Sequence, residues 1–207
     1  ARASPEPVGE VRNGARSREM STETEIELRH LSKSFTEGRR QHLVLDDVSA
    51  EFARGDTVAV RGRSGSGKST LLNLLGGIDL PDEGEVCWCG EDISQVRAEY
   101  SAELSYVGHN HGVKDELTPL ENLHMAQSLG RARMDIEPAE ALRKFGLAGL
   151  EDVPSRKLSA GQKRRVALSR LLVTEARLWI LDEPFTAIDK QGVRDIEALL
   201  AEHVSRS

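Results

Sequence analysis

Polar and apolar residues alternate through "EIELRHLS", residues 25–32, and again through "HLVLDDVSAEF", residues 42–52. A period of two places successive side chains on opposite faces, so both stretches are predicted as half-exposed strands. The turn-forming "EGRR" separates them. "DTVAVR", Asp56 to Arg61, is a short β-branched run and predicts a buried strand. It leads directly into the glycine-rich "GRSGSGKST", after which "LLNLLGG" is helical in period and closes at Gly76 and Gly77. "PDEG", residues 81–84, reads as a turn, "EVCWCG" as a strand, and Leu104 to Val107 as another short strand. "TPLENLHMAQSL" opens with Thr118 as N-cap, Pro119 at the first helical position and Glu121 closing a capping box. A further helix is expected from Pro138 to Phe145, ending at Gly146. "LSAGQKRRVALSRLLVTE" predicts a long helix capped by Ser159 and Gln162. Leu178 to Leu181 is a buried strand, and Gln191 to His203 a final amphipathic helix.

Composition narrows the class. The chain has 207 residues, with 38% apolar and 30% charged, as expected for a soluble globular protein with a real core. The formal net charge of −6 excludes the basic footprint of a nucleic-acid binder. The small basic clusters at Gly38-Arg39-Arg40 and Lys163-Arg164-Arg165 read as solvated faces. No apolar run reaches the roughly 18–20 residues that cross a bilayer, which leaves docking onto a membrane protein open. Cys87 and Cys89 flank Trp88 at strand spacing. A lone C-x-C lacks the second pair of a zinc site, so they are read as reduced, cytoplasmic strand residues. His109 and His111 in "GHNHG" are read as ordinary loop histidines. Residues 1–20, rich in Arg, Pro, Gly and Ser, are expected to be a disordered extension, with Met20 a native start.

Two stretches carry chemistry. Gly62-Arg63-Ser64-Gly65-Ser66-Gly67-Lys68-Ser69-Thr70 fits G-x-x-x-x-G-K-[ST] after a strand and before a helix. Its glycines let backbone N–H groups turn inward around phosphate oxygens, and the helix start adds a positive end. Lys68 is expected on the β- and γ-phosphates of ATP and the Ser69 hydroxyl on Mg²⁺. The second is "LWILDEPFTAIDK", where an apolar strand runs into Asp182 and Glu183. In a P-loop fold Asp182 holds Mg²⁺ directly or through water, and Glu183 orients and deprotonates the water attacking the γ-phosphate.

"LSAGQ", Leu158-Ser159-Ala160-Gly161-Gln162, is on its own residues a well-capped, anion-seeking helix start. It also resembles the signature motif of ATP-binding-cassette (ABC) ATPases, with Ala160 in place of the commoner Gly. The P-loop, the signature, "LDEP" and "AID" (Ala187–Asp189, similar to the D-loop) occur in that family's order. The resemblance implies an α/β fold: a P-loop NTPase with a RecA-like parallel sheet core, an N-terminal antiparallel β subdomain and a helical signature subdomain over about residues 112–172. Residues 21–207 would form one nucleotide-binding domain. It further implies a head-to-tail dimer, in which Ser159 and Gly161 of one copy meet the γ-phosphate at Lys68 of the other. Phe35, after "LSKS", falls where the family stacks an aromatic on adenine; from its own chemistry it serves equally as a core residue. Asp189 is the D-loop aspartate. The family's Q-loop glutamine falls at Asn110, one methylene shorter, which would weaken hydrolysis or coupling to the membrane partner. No residue before Ser207 matches the family's switch histidine, since His203 falls too early on the last helix. The expectation is therefore a chain truncated at its C-terminus, with unpaired backbone in its sheet and poor nucleotide binding.

"VGHNHGVKDELTPLENLHMAQSLG", "LSAGQKRRVAL" and "LWILDEPFTAIDKQGV" are similar to the CcmA family, the ATPase subunits of cytochrome c maturation haem exporters. That resemblance, over roughly residues 56–203, implies ATP hydrolysis, integral membrane transporter subunits as partners, and a peripheral place on the cytoplasmic face of the plasma membrane. The membrane partner would seat near Asn110 to Leu123. The alternatives are an ATPase of another bacterial exporter (lipoprotein release or efflux), a non-transport ABC-type ATPase, or a nucleotide-sensing module. Co-purification with membrane subunits and ATP turnover separate them.

Overall fold

The computed structural model describes residues 11–13, 24–38, 40–109, 112–186 and 188–206. The chain divides after Tyr100 into two compact units. The first contains strands β1 (Val11–Asn13), β2 (Thr24–Glu37), β3 (Arg40–Ala53) and β4 (Val58–Val60). Helix α1 (Lys68–Leu75) follows, then β5 (Glu83–Trp88), β6 (Glu91–Asp92) and the start of α2 (Arg97–Ala102). An antiparallel sheet runs β3-β2-β5-β6. Ile26 and Leu28 point to its core at 3% and 2% exposure, and so does Leu31, which breaks the period of two. A bulge explains the change of parity. The β2 register slips between Leu28 and Leu31, and His30 takes a left-handed φ of 51°. Gly84 in β5 lies against that bulge with φ +79°, where a Cβ would stand 2.2 Å from the Arg29 carbonyl oxygen. Beneath the sheet, Leu45, Leu71, Leu74, Val86 and Tyr100 are buried, and the Tyr100 hydroxyl donates to the Leu75 carbonyl at 2.6 Å.

β4 pairs antiparallel with β1, Val11 opposite Val60. The backbone of the strand feeding the glycine-rich loop therefore has a partner. The rest of the expected extension over 1–20 lies outside the described residues.

The second unit begins with β7 (Leu104–Val107), α3 (Pro119–Leu129), β8 (Arg131–Ala132) and α4 (Pro138–Lys144). It continues with α5 (Ala160–Val173), β9 (Thr174–Glu175), β10 (Leu178–Leu181) and α6 (Lys190–Arg206). β7 and β10 are parallel, Leu104 beside Leu178 and Val107 beside Leu181. Around them Leu123, Leu142, Leu147, Val166, Leu168, Leu171, Ile196 and Leu199 form one core, to which α3, α4, α5 and α6 all contribute. Both predicted capping boxes are present, Thr118 with Glu121 and Ser159 with Gln162. Asn122, 1% exposed, binds a neighbouring loop to the segment ahead of α5. Its amide nitrogen donates to the Lys114 and Thr118 carbonyls at 3.1 and 2.9 Å and to Ser155 Oγ at 3.2 Å, while its oxygen accepts from Lys114 N–H at 2.8 Å. Buried amides with this many partners are costly to strand, so Asn122 fixes that loop.

Several expectations change: β4, expected to be buried, is half-buried at Val58 and Val60 and exposed at Ala59. The α5 helix stops at Val173, because Thr174 and Glu175 turn out to pair with Ala132 and Arg131 as β9 and β8. Cys89 lies just past the strand in a left-handed turn residue (φ 51°) and is exposed, whereas Cys87 is buried. The cluster Lys163-Arg164-Arg165 is not a solvated face: Arg164 is 2% exposed.

Candidate nucleotide-binding and hydrolysis site

In the first unit, the glycine-rich loop runs from β4 into the first turn of α1. Gly65 and Gly67 take φ of 78° and 85°, the left-handed values that glycine alone reaches without strain. The loop closes with Ser66 N–H on the Arg63 carbonyl at 3.2 Å and Leu71 N–H on the Gly67 carbonyl at 2.8 Å. Lys68 Nζ arches back over it, donating to the Gly62 and Arg63 carbonyls at 3.0 and 2.7 Å. The amine therefore stands over the same backbone that would enclose a phosphate. Ser66 Oγ is buried against Gly62 and has no hydrogen-bond partner among the described residues. Ser64 is exposed, Ser69 presents an exposed hydroxyl on the first helical turn, and Thr70 is half-buried.

Phe35, in the same unit, is 45% exposed, so the core-residue reading fails and a stacking platform remains. Lys33 Nζ lies 5.5 Å from its ring centroid, itself held by the Leu80 carbonyl at 2.6 Å and Asp79 at 3.2 Å.

In the second unit, Asp182 ends β10 with 5% exposure, and its N–H donates to the Val107 carbonyl of β7 at 2.9 Å. Among the described residues no donor is bonded to its carboxylate. Its charge, together with burial, pushes the neighbouring Tyr106 phenol above its ordinary range, burial being the larger cause. Glu183 is exposed and adopts φ 51°, a left-handed value that costs a non-glycine residue about 1–2 kcal/mol. A turn holds it there: Thr186 N–H donates to the Glu183 carbonyl at 3.1 Å, and Thr186 Oγ1 to its carboxylate at 3.2 Å. Strain of this kind persists where the surroundings over-determine the backbone, and it turns Glu183 outward while Asp182 stays inside.

Also in this unit, Leu158 is buried and anchors the start of α5. Ser159 Oγ accepts from Gln162 N–H at 3.2 Å, and Gln162 Oε1 accepts from Ser159 N–H at 2.8 Å. The Ser159 hydroxyl proton stays available to donate, beside the N–H groups of Ala160 and Gly161 at an exposed helix start. Asp189 accepts from Gly192 N–H at 2.8 Å and from Arg165 at 2.5 Å, bonds that hold its carboxyl below the usual range. Asn110, Ala187 and His111 lie outside the described residues.

Arg164, absent from the sequence-based site, is the residue that reasoning missed. Its guanidinium donates to the Gly108 carbonyl at 2.7 Å and to the Asp182 carbonyl, deep beneath the carboxylate pair. The signal was available: Arg164, Leu168 and Leu171 share one helical face, and the last two are fully buried.

His203 stacks flat on Trp179, with ring centroids 3.7 Å apart and 11° between planes, and its Nε2 meets the Arg177 carbonyl at 3.1 Å. Arg177 precedes β10, the end opposite Asp182 and Glu183, so His203 takes no part in their chemistry. Burial lowers its pKa, and the Arg133 and Arg206 charges add to this against the Arg177 carbonyl. The folded state thus prefers the neutral ring. Its stabilisation is whole above the ordinary imidazole value of 6.5 and is lost as pH falls through the lower folded value. From about pH 7.5 to about pH 5.5 the wild type should lose more thermal stability than a His203→Phe variant, measured by circular dichroism melts.

A family model described as ABC transporter matches residues 45–186. The chain is 48% identical over 169 residues to the cytochrome c biogenesis ATP-binding export protein CcmA of Nitrosococcus oceani, covering 81% of this chain and 77% of that protein. With the protein of the same description from Escherichia coli K12 it shares 46% over 168 residues, covering 81% and 80%. Among solved structures, the dimeric bacterial ABC transporter cassette MJ0796 superposes with a TM-score of 0.78 at 27% identity, over 87% of this chain and 83% of that one. The same cassette in a post-hydrolysis dimer bound to ADP and Pi gives 0.76 at the same identity.

Proposed function

The chain belongs to the ABC transporter ATPases, and from that premise we propose that it is the ATP-hydrolysing subunit of a cytochrome c biogenesis exporter that moves haem. The observation carrying this reading is identity near one half, over four-fifths of the chain, to proteins of that description. The residues present suit the chemistry. Backbone N–H groups of Gly65 to Ser69 and the Lys68 amine bind the phosphates of ATP, and the exposed Phe35 ring stacks on adenine. The Ser69 hydroxyl and the buried Asp182 carboxylate are hard oxygen donors of the kind that suit Mg²⁺, and among the described residues no donor is bonded to that carboxylate. When bound, Mg²⁺ neutralises charge on the β- and γ-phosphates. Glu183, turned outward, orients the attacking water and takes its proton.

Two copies associate head to tail, so that Ser159 and Gly161 of the partner subunit close over the γ-phosphate. Integral membrane subunits seat against residues 110–123. The protein acts as a peripheral subunit on the cytoplasmic face of the plasma membrane; no helix among the described residues is long and apolar enough to cross a membrane. No nucleic acid is involved.

The test is co-expression of the tagged chain with the exporter's membrane subunits, followed by detergent extraction. Co-purification with ATP turnover well above a Lys68→Ala control is the expected result. A chain that never co-purifies but hydrolyses ATP is a non-transport ATPase, and one that binds ATP without turnover is a nucleotide sensor.

A further inference from the structure

Arg164 is a large side chain, almost fully buried, and carries a charge. Burying a guanidinium is expensive unless its donors find acceptors. Its Nη1 and Nη2 donate to backbone oxygens at two functional places at once. One is the Gly108 carbonyl, just past β7 and two residues before Asn110; the other is the Asp182 carbonyl, at the end of β10. The backbone N–H of Asp182 is meanwhile bonded to Val107, so both parallel strand ends are drawn into one network. Gly108 is itself buried, and a Cβ there would stand 2.5 Å from the Tyr106 ring, so little slack exists. Arg164 rises from α5 one turn beyond the Ser159 cap, which makes the guanidinium the direct link between the signature helix and the two strand ends. Burial lowers the guanidinium's pKa, and the Asp182 and Glu183 charges oppose that shift.

We propose that Arg164 is a positioning residue for hydrolysis: by bonding the carbonyls of Gly108 and Asp182 it holds the left-handed turn that presents Glu183. It ties that turn to the loop leading into Asn110. Fixing the Asp182 carbonyl fixes the peptide plane from which Glu183 departs at φ 51°. With the bond removed, the strained turn has less to over-determine it and relaxes. The catalytic carboxylate then spends less time where its water must be. Nucleotide binding at the glycine-rich loop uses none of these groups. The proposal rests on the assignment of Glu183 as the base.

The test uses the full-length protein with Arg164→Met and Arg164→Lys. The expected result is a split: ATP affinity within about twofold of wild type, with kcat down roughly tenfold or more for Met, as for other losses of positioning. Lys, able to reach one carbonyl, should recover part of the rate. Amide hydrogen exchange supplies a second readout that does not depend on turnover. Residues 107–109 and 182–186 should exchange faster together, while α1 stays unchanged. Wild-type kcat in both variants, or exchange that quickens evenly through the chain, would overturn the proposal in favour of a purely structural arginine. Should Arg164→Met not fold, the Lys variant decides alone, and full kcat with unchanged local exchange refutes the idea. If wild type itself shows no turnover above Glu183→Gln, the assignment of the base fails instead, and the exchange pattern still judges Arg164.

Discussion

Replacing Glu183 with Gln is expected to lower ATP turnover by about 10²–10⁴-fold while leaving ATP affinity nearly unchanged, the range expected when a positioned general base is removed. The substitution is clean because of how the side chain is held. Glutamine keeps an oxygen to accept from Thr186 Oγ1, and the Thr186 N–H to carbonyl bond belongs to the backbone, so the turn survives. What disappears is a group able to take a proton from water. Binding uses the loop around Lys68 and the ring of Phe35, which the change does not touch. Steady-state turnover beside equilibrium titration with ATP separates the two quantities. A variant that binds but does not hydrolyse should also accumulate as the ATP-bound dimer, visible by size-exclusion chromatography. Unaltered kcat would remove Glu183 from the mechanism and leave Asp182 without its proposed partner.

Much of the fold is legible in the sequence wherever the signal is local. The Thr118–Glu121 and Ser159–Gln162 boxes are read from residues three apart, and both caps are found as expected. Strand β10 announces itself by the short apolar run "LWIL" and β7 by the segment Leu104 to Val107, while their parallel pairing is what the family resemblance implies. What escapes is non-local or too short to have a period. β8 and β9 are two residues each, and the pairing of Arg131 with Glu175 has no trace in either segment. α2 presents one apolar anchor, Tyr100, in a stretch of six residues. β2 outruns its predicted end at Ser32 because the bulge at His30 breaks the alternation on which the prediction rests.

The site divides in the same way. The glycine-rich loop and the Asp182–Glu183 pair are carried by contiguous residues whose chemistry demands their order, so a single sequence suffices to nominate them. Arg164 is invisible to that logic. Arginine is ordinarily solvent-facing, and Lys163 and Arg165 beside it make ion pairs with Asp115 and Asp189 at the surface. Only its place on the same helical face as Leu168 and Leu171 distinguishes it. The left-handed turn at Glu183 is equally unreadable, since non-glycine residues seldom adopt it and nothing in "LDEP" announces strain.

The second large effect is expected at Gly67. Gly67→Ala should weaken ATP binding by about a hundredfold, the cost of displacing reacting or binding groups by roughly an ångström. It should also destabilise the fold, whereas Gly65→Ala should do little more than cost about 1–2 kcal/mol of stability. Both glycines are left-handed, at φ +85° and +78°, so both alanines carry the same intrinsic strain. Their surroundings differ. A Cβ at Gly65 meets nothing within 4 Å, while one at Gly67 stands 2.9 Å from Val44 Cγ1 and 3.1 Å from the Val44 carbonyl oxygen and Leu45 Cδ2. Those atoms belong to β3, and Leu45 is fully buried, so the strand has no room to yield. The first turn of α1 must move away instead. Gly67 caps that turn and Lys68 follows it, so the displacement passes directly to the phosphate-binding amine and the Ser69 hydroxyl. ATP titration and urea melts on the two variants test the difference. Equal losses of affinity would mean that left-handed strain alone governs the loop, and that its close approach to β3 is incidental.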